Sequence, residues 1–164
     1  LVGSEMCIRD RKIKAQFAFA LSTDPKYLIL DEPTANFDPD FKQDFLNVIM
    51  QFMESGKKSV IIASHILDEL DRIADYLIYL DKGELVYSGD IESFRDKYRI
   101  ISGESYKVKF LKQEDIIHAE DRKYGTKALV VNHGYSKYDG ALTVTVPTLE
   151  EFMYHYSKRG ESVI

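Results

Sequence analysis

The stretch Tyr27-Leu28-Ile29-Leu30-Asp31-Glu32-Pro33, continued by Thr34-Ala35-Asn36-Phe37-Asp38-Pro39, decides how the rest of the chain is read. Its apolar run carries no charge and predicts a strand buried on both faces, as found inside parallel sheets. Pro33 lacks an N–H and ends the ladder there. The carboxylates of Asp31 and Glu32 therefore fall at the carboxyl end of a strand, which is where open α/β sheets bind ligands. Such an acid pair suits Mg²⁺ with a nucleotide phosphate. One carboxylate can hold the hydrated metal while its neighbour orients or deprotonates a water. A bare Leu-Asp-Glu favours a strand running into an acidic turn, but the whole string does not.

Working outward, the Asp38-Pro39 corner opens a helix in which Phe41, Phe45, Val48, Ile49 and Phe52 recur at helical spacing until Ser55-Gly56. Ser59-Val60-Ile61-Ile62-Ala63 predicts a second buried strand by the logic applied to the first. It ends in Ser64-His65, ahead of the helical stretch Ile66-Leu67-Asp68-Glu69-Leu70. A lone histidine is more often structural than catalytic. At the end of a buried strand, however, an imidazole can donate to a terminal phosphate oxygen while holding the attacking water in line with Glu32. Upstream, Lys12–Ser22 is apolar on most sides and reads as a helix beneath a sheet, broken by Asp24-Pro25. Downstream, Tyr76–Leu80 and Glu84–Tyr87 form a hairpin across Asp81-Lys82-Gly83, and a short helix follows over Ile91–Lys97.

The string from Tyr27 to Pro39 resembles the Walker B and D-loop region of ABC-type ATPases, the nucleotide-binding subunits of ABC transporters. The family pattern is four apolar residues, Asp-Glu-Pro-Thr, two small residues and Leu-Asp-Pro. Asp31, Glu32, Pro33, Thr34, Asp38 and Pro39 match it, and Phe37 occupies the usual Leu slot. Ser64-His65 with its acidic helix resembles the H-loop. The resemblance implies the C-terminal part of a P-loop NTPase core, of α/β class with parallel strands and helices. It implies ATP and Mg²⁺ as cofactors, with Asp31 binding the metal through its water shell and Glu32 as general base. By the same resemblance His65 clamps the γ-phosphate, while Asn36 and Asp38 couple the two sites of an ATPase dimer. The implied partners are a membrane-spanning permease and a second ATPase subunit, as a homo- or heterodimer. The implied place is the cytoplasmic face of the plasma membrane, held there through the permease.

Two family features are missing. No Gly-x-x-x-x-Gly-Lys-Ser/Thr occurs, so no phosphate cradle is present. The Leu-Ser-Gly-Gly-Gln signature is expected near residues 7–11, and Cys7-Ile8-Arg9-Asp10-Arg11 does not match it. Residues 1–11 carry no helical or strand period and resemble translated sequencing-adapter read-through. They are expected to be a non-native leader, and the chain a C-terminal fragment that is inactive by itself.

The expected organisation is a leader over 1–11, the C-terminal half of an ABC ATPase domain over 12–97, and a small α+β extension over 98–164. In the extension, Tyr106–Leu111, Ala128–Val131 and Ala141–Val146 predict strands, and Leu149–Tyr156 predicts a helix. Gln113–Ile117 suits a short helix, while Asn132-His133-Gly134 and Tyr138-Asp139-Gly140 suit turns. His118, His133 and His155 lack metal-ligand spacing and are expected on the surface or in turns. The extension resembles those of bacterial exporter-type (ABC-2) ATPases, which points to export.

Composition sets further bounds. At 164 residues, 45% hydrophobic and 30% charged, the chain has ordinary globular character. A net charge of −5 supplies no basic surplus for nucleic acid, which is not expected as a partner. The single Cys7 excludes an internal disulfide. No apolar run reaches the roughly 18 residues a membrane span needs. Two other functions stand beside a transporter subunit: a soluble ABC-type ATPase acting on ribosomes or DNA, and a non-catalytic regulatory module. The first generally carries paired cassettes or long insertions, and none is visible. Joint retention of Asp31, Glu32 and His65 speaks against the second.

Overall fold

The computed structural model of the chain describes residues 2–35, 37–135 and 142–161. The chain forms two compact units, residues 1–69 and 70–164, with mixed α/β secondary structure.

In the first unit, helix α1 (Val2–Ser22) leads to strand β1 (Tyr27–Asp31). Helix α2 (Pro39–Met53) then connects to strand β2 (Ser59–Ala63). The leader expected to lack helical character is thus continuous with the helix over 12–22, because no proline interrupts residues 2–22. Asp38 caps α2: its carboxylate accepts from the Phe41 N–H at 2.8 Å, and Pro39 fills the first helical position. β1 and β2 pair in parallel from Tyr27–Ser59 to Asp31–Ala63. Leu28, Phe37, Phe45, Leu46 and Ile49 form the buried core, in which the Phe45 ring lies 4.9 Å from Phe17 and 5.5 Å from Phe37.

Neither strand is buried on both faces, as its composition predicts. Exposure alternates along both, so that Ile29 is 74% and Ile61 60% exposed. These two residues are register partners and share one face. The described sheet has two strands, and its core residues lie on the other side.

Helix α3 (Leu67–Ile73) spans the boundary between the units. In the second unit β3 (Tyr76–Asp81) and β4 (Glu84–Asp90) form the expected hairpin. Its turn is Lys82-Gly83, both at positive φ, as two-residue hairpin loops favour. Helix α4 (Ile91–Lys97), capped by Asp90, passes directly into β5 (Tyr98–Gly103). A helical turn, α5 (Ser105–Val108), a 3₁₀ turn (Gln113–Asp115), β6 (Ile116–Arg122), β7 (Gly125–Val131), β8 (Leu142–Thr145) and α6 (Leu149–Ser157) complete the chain. The four strands form an antiparallel sheet in the order β6-β7-β5-β8.

That sheet is covered on both sides. Ile101, Val108, Leu111, Ala119, Ala128, Val130 and Tyr135 form one core. Phe152 of α6 packs against the rings of Tyr79, Phe94 and Tyr98 at centroid distances of 5.6, 4.9 and 4.7 Å. The packing divides at residue 69, and Tyr79 and Phe94 share their core with Tyr98 and Phe152. Residues 106–111, expected as a strand, instead hold a helical turn that buries Val108 and Leu111 and leaves Phe110 exposed. The expected turn at Tyr138-Asp139-Gly140 lies outside the described residues.

Candidate functional site

Parallel pairing puts the carboxyl ends of β1 and β2 side by side, since Asp31 is the register partner of Ala63. The Glu32 N–H extends the ladder by donating to the Ala63 carbonyl at 2.8 Å. Glu32 then takes a φ of +45°, in the left-handed region where a side chain other than Gly or Asn is uncommon. Turn bonds from the Ala35 N–H to the Glu32 carbonyl and from the Phe37 N–H to the Thr34 carbonyl lead the chain into α2. The strained residue is thus held between the end of one strand and the tight turn after it.

The Glu32 carboxylate reaches across to the end of β2. Its Oε2 lies 2.8 Å from His65 Nδ1, and its Oε1 accepts the His65 backbone N–H at 3.1 Å. Ser64 Oγ donates to Oε2 at 3.3 Å and itself accepts the Ile66 N–H at 3.0 Å. Hydrogen bonding from the His65 side chain, outweighing the effect of desolvation, holds Glu32 below the usual carboxylate range. The carboxylate is therefore ionised at neutral pH, with its lone pairs engaged by His65 and Ser64. The imidazole is 72% exposed, so nothing in the unit's core fixes its position.

Asp31 is exposed, and its side chain makes no hydrogen bond or ion pair among the described residues. An acceptor-only carboxylate without a protein partner, next to a second carboxylate, is a hard-oxygen donor set that fits a hydrated Mg²⁺. The ion usually keeps several waters and takes one or two carboxylates, so a closed protein cage is not needed. Among the described residues no group of three or more His, Cys, Asp or Glu side chains forms such a cage.

Asp38 plays a structural part, since it caps α2 and lies 3.8 Å from Lys14. The backbone bond from Phe41 is the main cause of its lowered pKa. Asn36 lies outside the described residues. The structure thus brings Glu32 and His65 together beside Asp31 and keeps Asp38 at the helix start. Ser64 is the site member that sequence reasoning leaves without a role; its place before His65 is the only signal.

The remaining histidines are not uniformly surface or turn residues. His133 is exposed in its turn, but its Nδ1 bonds the buried Asp115 at 2.7 Å. His118 and His155 are buried, at 4% and 1% exposure, and face each other Nδ1 to Nδ1 at 2.8 Å. Each lies on the inward side of its element, which outweighs the polarity that favours the surface.

Beside this geometry stand comparisons with known proteins. These relate the chain to ABC transporter ATP-binding proteins. It is 34% identical over 113 residues to a putative ABC transporter ATP-binding protein of Mycoplasma pneumoniae, covering 66% of this chain and 34% of the relative. It is 38% identical over 91 residues to the energy-coupling factor transporter ATP-binding protein EcfA2 of Caldanaerobacter subterraneus, covering 55% of this chain and 32% of that one. The EcfA2 of Streptococcus pyogenes is 33% identical over 76 residues, covering 46% and 27%. The chain thus spans about a third of the length of these curated relatives. No family model matches. Among the described residues no helix is long and apolar enough to cross a membrane.

Proposed function

We propose that residues 12–97 supply the Mg²⁺- and water-handling part of a P-loop ATPase that powers transport through a membrane-spanning partner. A second ATPase subunit completes the nucleotide site, and the assembly sits on the cytoplasmic face of the membrane. The observation that carries this reading is the 2.8 Å approach of His65 to Glu32 across two parallel strand ends, beside Asp31, whose side chain has no partner among the described residues. The relatives' names support ATP binding and transport. Export is the finer reading and rests on the likeness of residues 98–164 to exporter-type extensions.

In this reading Mg²⁺ supplies charge neutralisation on the phosphates and is held by Asp31 through water. Glu32 is the general base that orients and deprotonates the attacking water. In the present geometry His65 and Ser64 occupy the carboxylate, and a base held below its usual pKa is a weak one. The exposed ring of His65 must turn from Glu32 to the terminal phosphate, which frees an acceptor lone pair for water. Asn36 and Asp38 couple the paired sites, Asp38 by fixing the start of α2. The phosphate loop must come from outside residues 1–164, so this chain alone is inactive.

The test uses the full-length protein that contains this segment. Glu32→Gln should lower its Mg²⁺-dependent ATP turnover by about 10²–10⁴-fold, the usual worth of a positioned general base, and leave ATP binding intact. The 164-residue chain alone should show no turnover. Unchanged turnover in Glu32→Gln would overturn the assignment of the base, and turnover by the isolated chain that Glu32→Gln abolishes would overturn its inactivity.

A further inference from the structure

We propose that the His118–His155 pair is an acid-released latch: it holds helix α6 on strand β6, and protonation of the pair frees the helix. The geometry carries this. The facing Nδ1 atoms are 2.8 Å apart, so one ring must present Nδ1–H and the other a bare lone pair. The pair accepts one proton in the contact and no more. When the bare Nδ1 gains hydrogen, two donors and a buried positive charge meet in a site shielded from water, and protonation of the second ring sets two positive charges face to face.

Charged groups from neighbouring elements face the pair. β6 contributes Glu120 and Arg122, β7 contributes Lys127, α6 itself contributes Glu151, and Lys158 and Glu161 follow α6. Their signs are mixed, and among the described residues no carboxylate bonds either imidazole to stabilise a second charge. Burial, then the charge of His118, pushes His155 down to about 4, and burial also lowers His118. The sign follows: above the ordinary imidazole value of 6.5 both states are neutral and the contact contributes fully. As pH falls from there toward about 4, the free helix binds protons more readily than the docked one, and docking weakens.

The other ties of α6 are made by carboxylates. Lys127 meets Glu151 at 2.5 Å, and the Tyr154 hydroxyl donates to Glu120 at 3.1 Å. Burial works to raise both acids, but Tyr154 and Arg122 outweigh it at Glu120, and Lys127 and the Thr148 N–H outweigh it at Glu151. Both carboxylates are thus held below their ordinary value and remain ionised over the upper part of the window. Acid therefore acts through the histidines, and release uncovers the ring faces of Tyr79, Phe94 and Tyr98 that Phe152 covers.

The test is amide hydrogen exchange of the 164-residue chain between pH 7.5 and 4.5, corrected for the intrinsic pH dependence of exchange. Protection over residues 149–157 should fall at least tenfold while β7 keeps its protection. The fall should vanish in the double variant His118→Leu/His155→Leu. Constant protection in α6, an equal fall in the double variant, or simultaneous loss in α6 and β7 overturns the latch. Should the double variant fail to fold, ¹⁵N spectra of the wild-type imidazoles decide. One protonated and one bare Nδ1 at pH 7, with both rings uncharged at pH 5.5, supports it; ordinary titration of either ring overturns it.

Discussion

Each unit brings a histidine to 2.8 Å from a polar partner, and the two arrangements differ in everything else. In residues 1–69, His65 meets a carboxylate at the open end of a two-stranded sheet, with its ring 72% exposed. In residues 70–164, His118 meets another histidine between a sheet and a helix, both rings out of solvent. An exposed ring can exchange one partner for another, because water compensates the bond it gives up. A buried ring has no alternative partner, so its bond responds to protons and little else. The same side chain thus suits ligand handling in the first unit and structural fixation in the second.

The contrast is sharpest in how each unit closes its core, and the largest expected effect tests it there. Phe152 is 1% exposed and touches the rings of Tyr79, Phe94, Tyr98 and Tyr156. Phe152→Ala should cost the second unit about 3–5 kcal/mol, the range for removing a fully packed Phe, read by urea unfolding followed through tyrosine fluorescence. A loss under about 1 kcal/mol would mean that the core collapses around the gap and that α6 is not fixed by packing.

A smaller effect is expected at Gly125, where β7 begins. Its φ is +134°, and an added Cβ would stand 2.2 Å from the Gly103 carbonyl oxygen. Gly125→Ala should cost about 1–3 kcal/mol in backbone strain, before any cost of moving Gly103 away. Gly83, also at positive φ but with open space around it, is the control. Gly83→Asn should be nearly neutral, because Asn tolerates this conformation in hairpin turns. Equal effects at the two positions would show that close approach of β5 to β7 is not what requires Gly125.

These residues also show what could be read without coordinates. Asp38-Pro39, the recurring phenylalanines of α2 and the Lys82-Gly83 turn are local signals, and the structure follows them. The strand ends that carry Asp31, Glu32 and His65 were legible for the same reason: each apolar run stops abruptly at a polar residue. Tyr106-Lys107-Val108-Lys109-Phe110-Leu111 misleads because it alternates like a strand. Val108 and Leu111, three apart, both reach the core and force a helical turn. β5 was hidden because α4 ends at Lys97 and β5 starts at Tyr98 with no turn residue between them. β6 was hidden by its polar residues and by a register irregularity between Ile116 and His118. The histidine pair is a long-range contact between a strand and the last helix, which no local pattern encodes.

The smallest expected effect separates two accounts of β1 and β2. Composition makes them strands buried on both faces, whereas here Ile29 and Ile61 share a face open to solvent. If the exposed arrangement describes this chain, Ile29→Thr should change its stability by no more than about 0.5 kcal/mol, as for a surface substitution that keeps β-branching. In the full-length protein, on the proposed reading, further parts of the ATPase cover that face, and the same change should destabilise by roughly 1–3 kcal/mol through lost apolar burial and an unsatisfied hydroxyl. Thermal melts of both proteins with and without the substitution give the comparison directly. A large effect in the short chain would mean that the face is already covered there, by self-association or otherwise. A negligible effect in both would mean that nothing covers it, and the apolar character of β1 would then be unrelated to assembly.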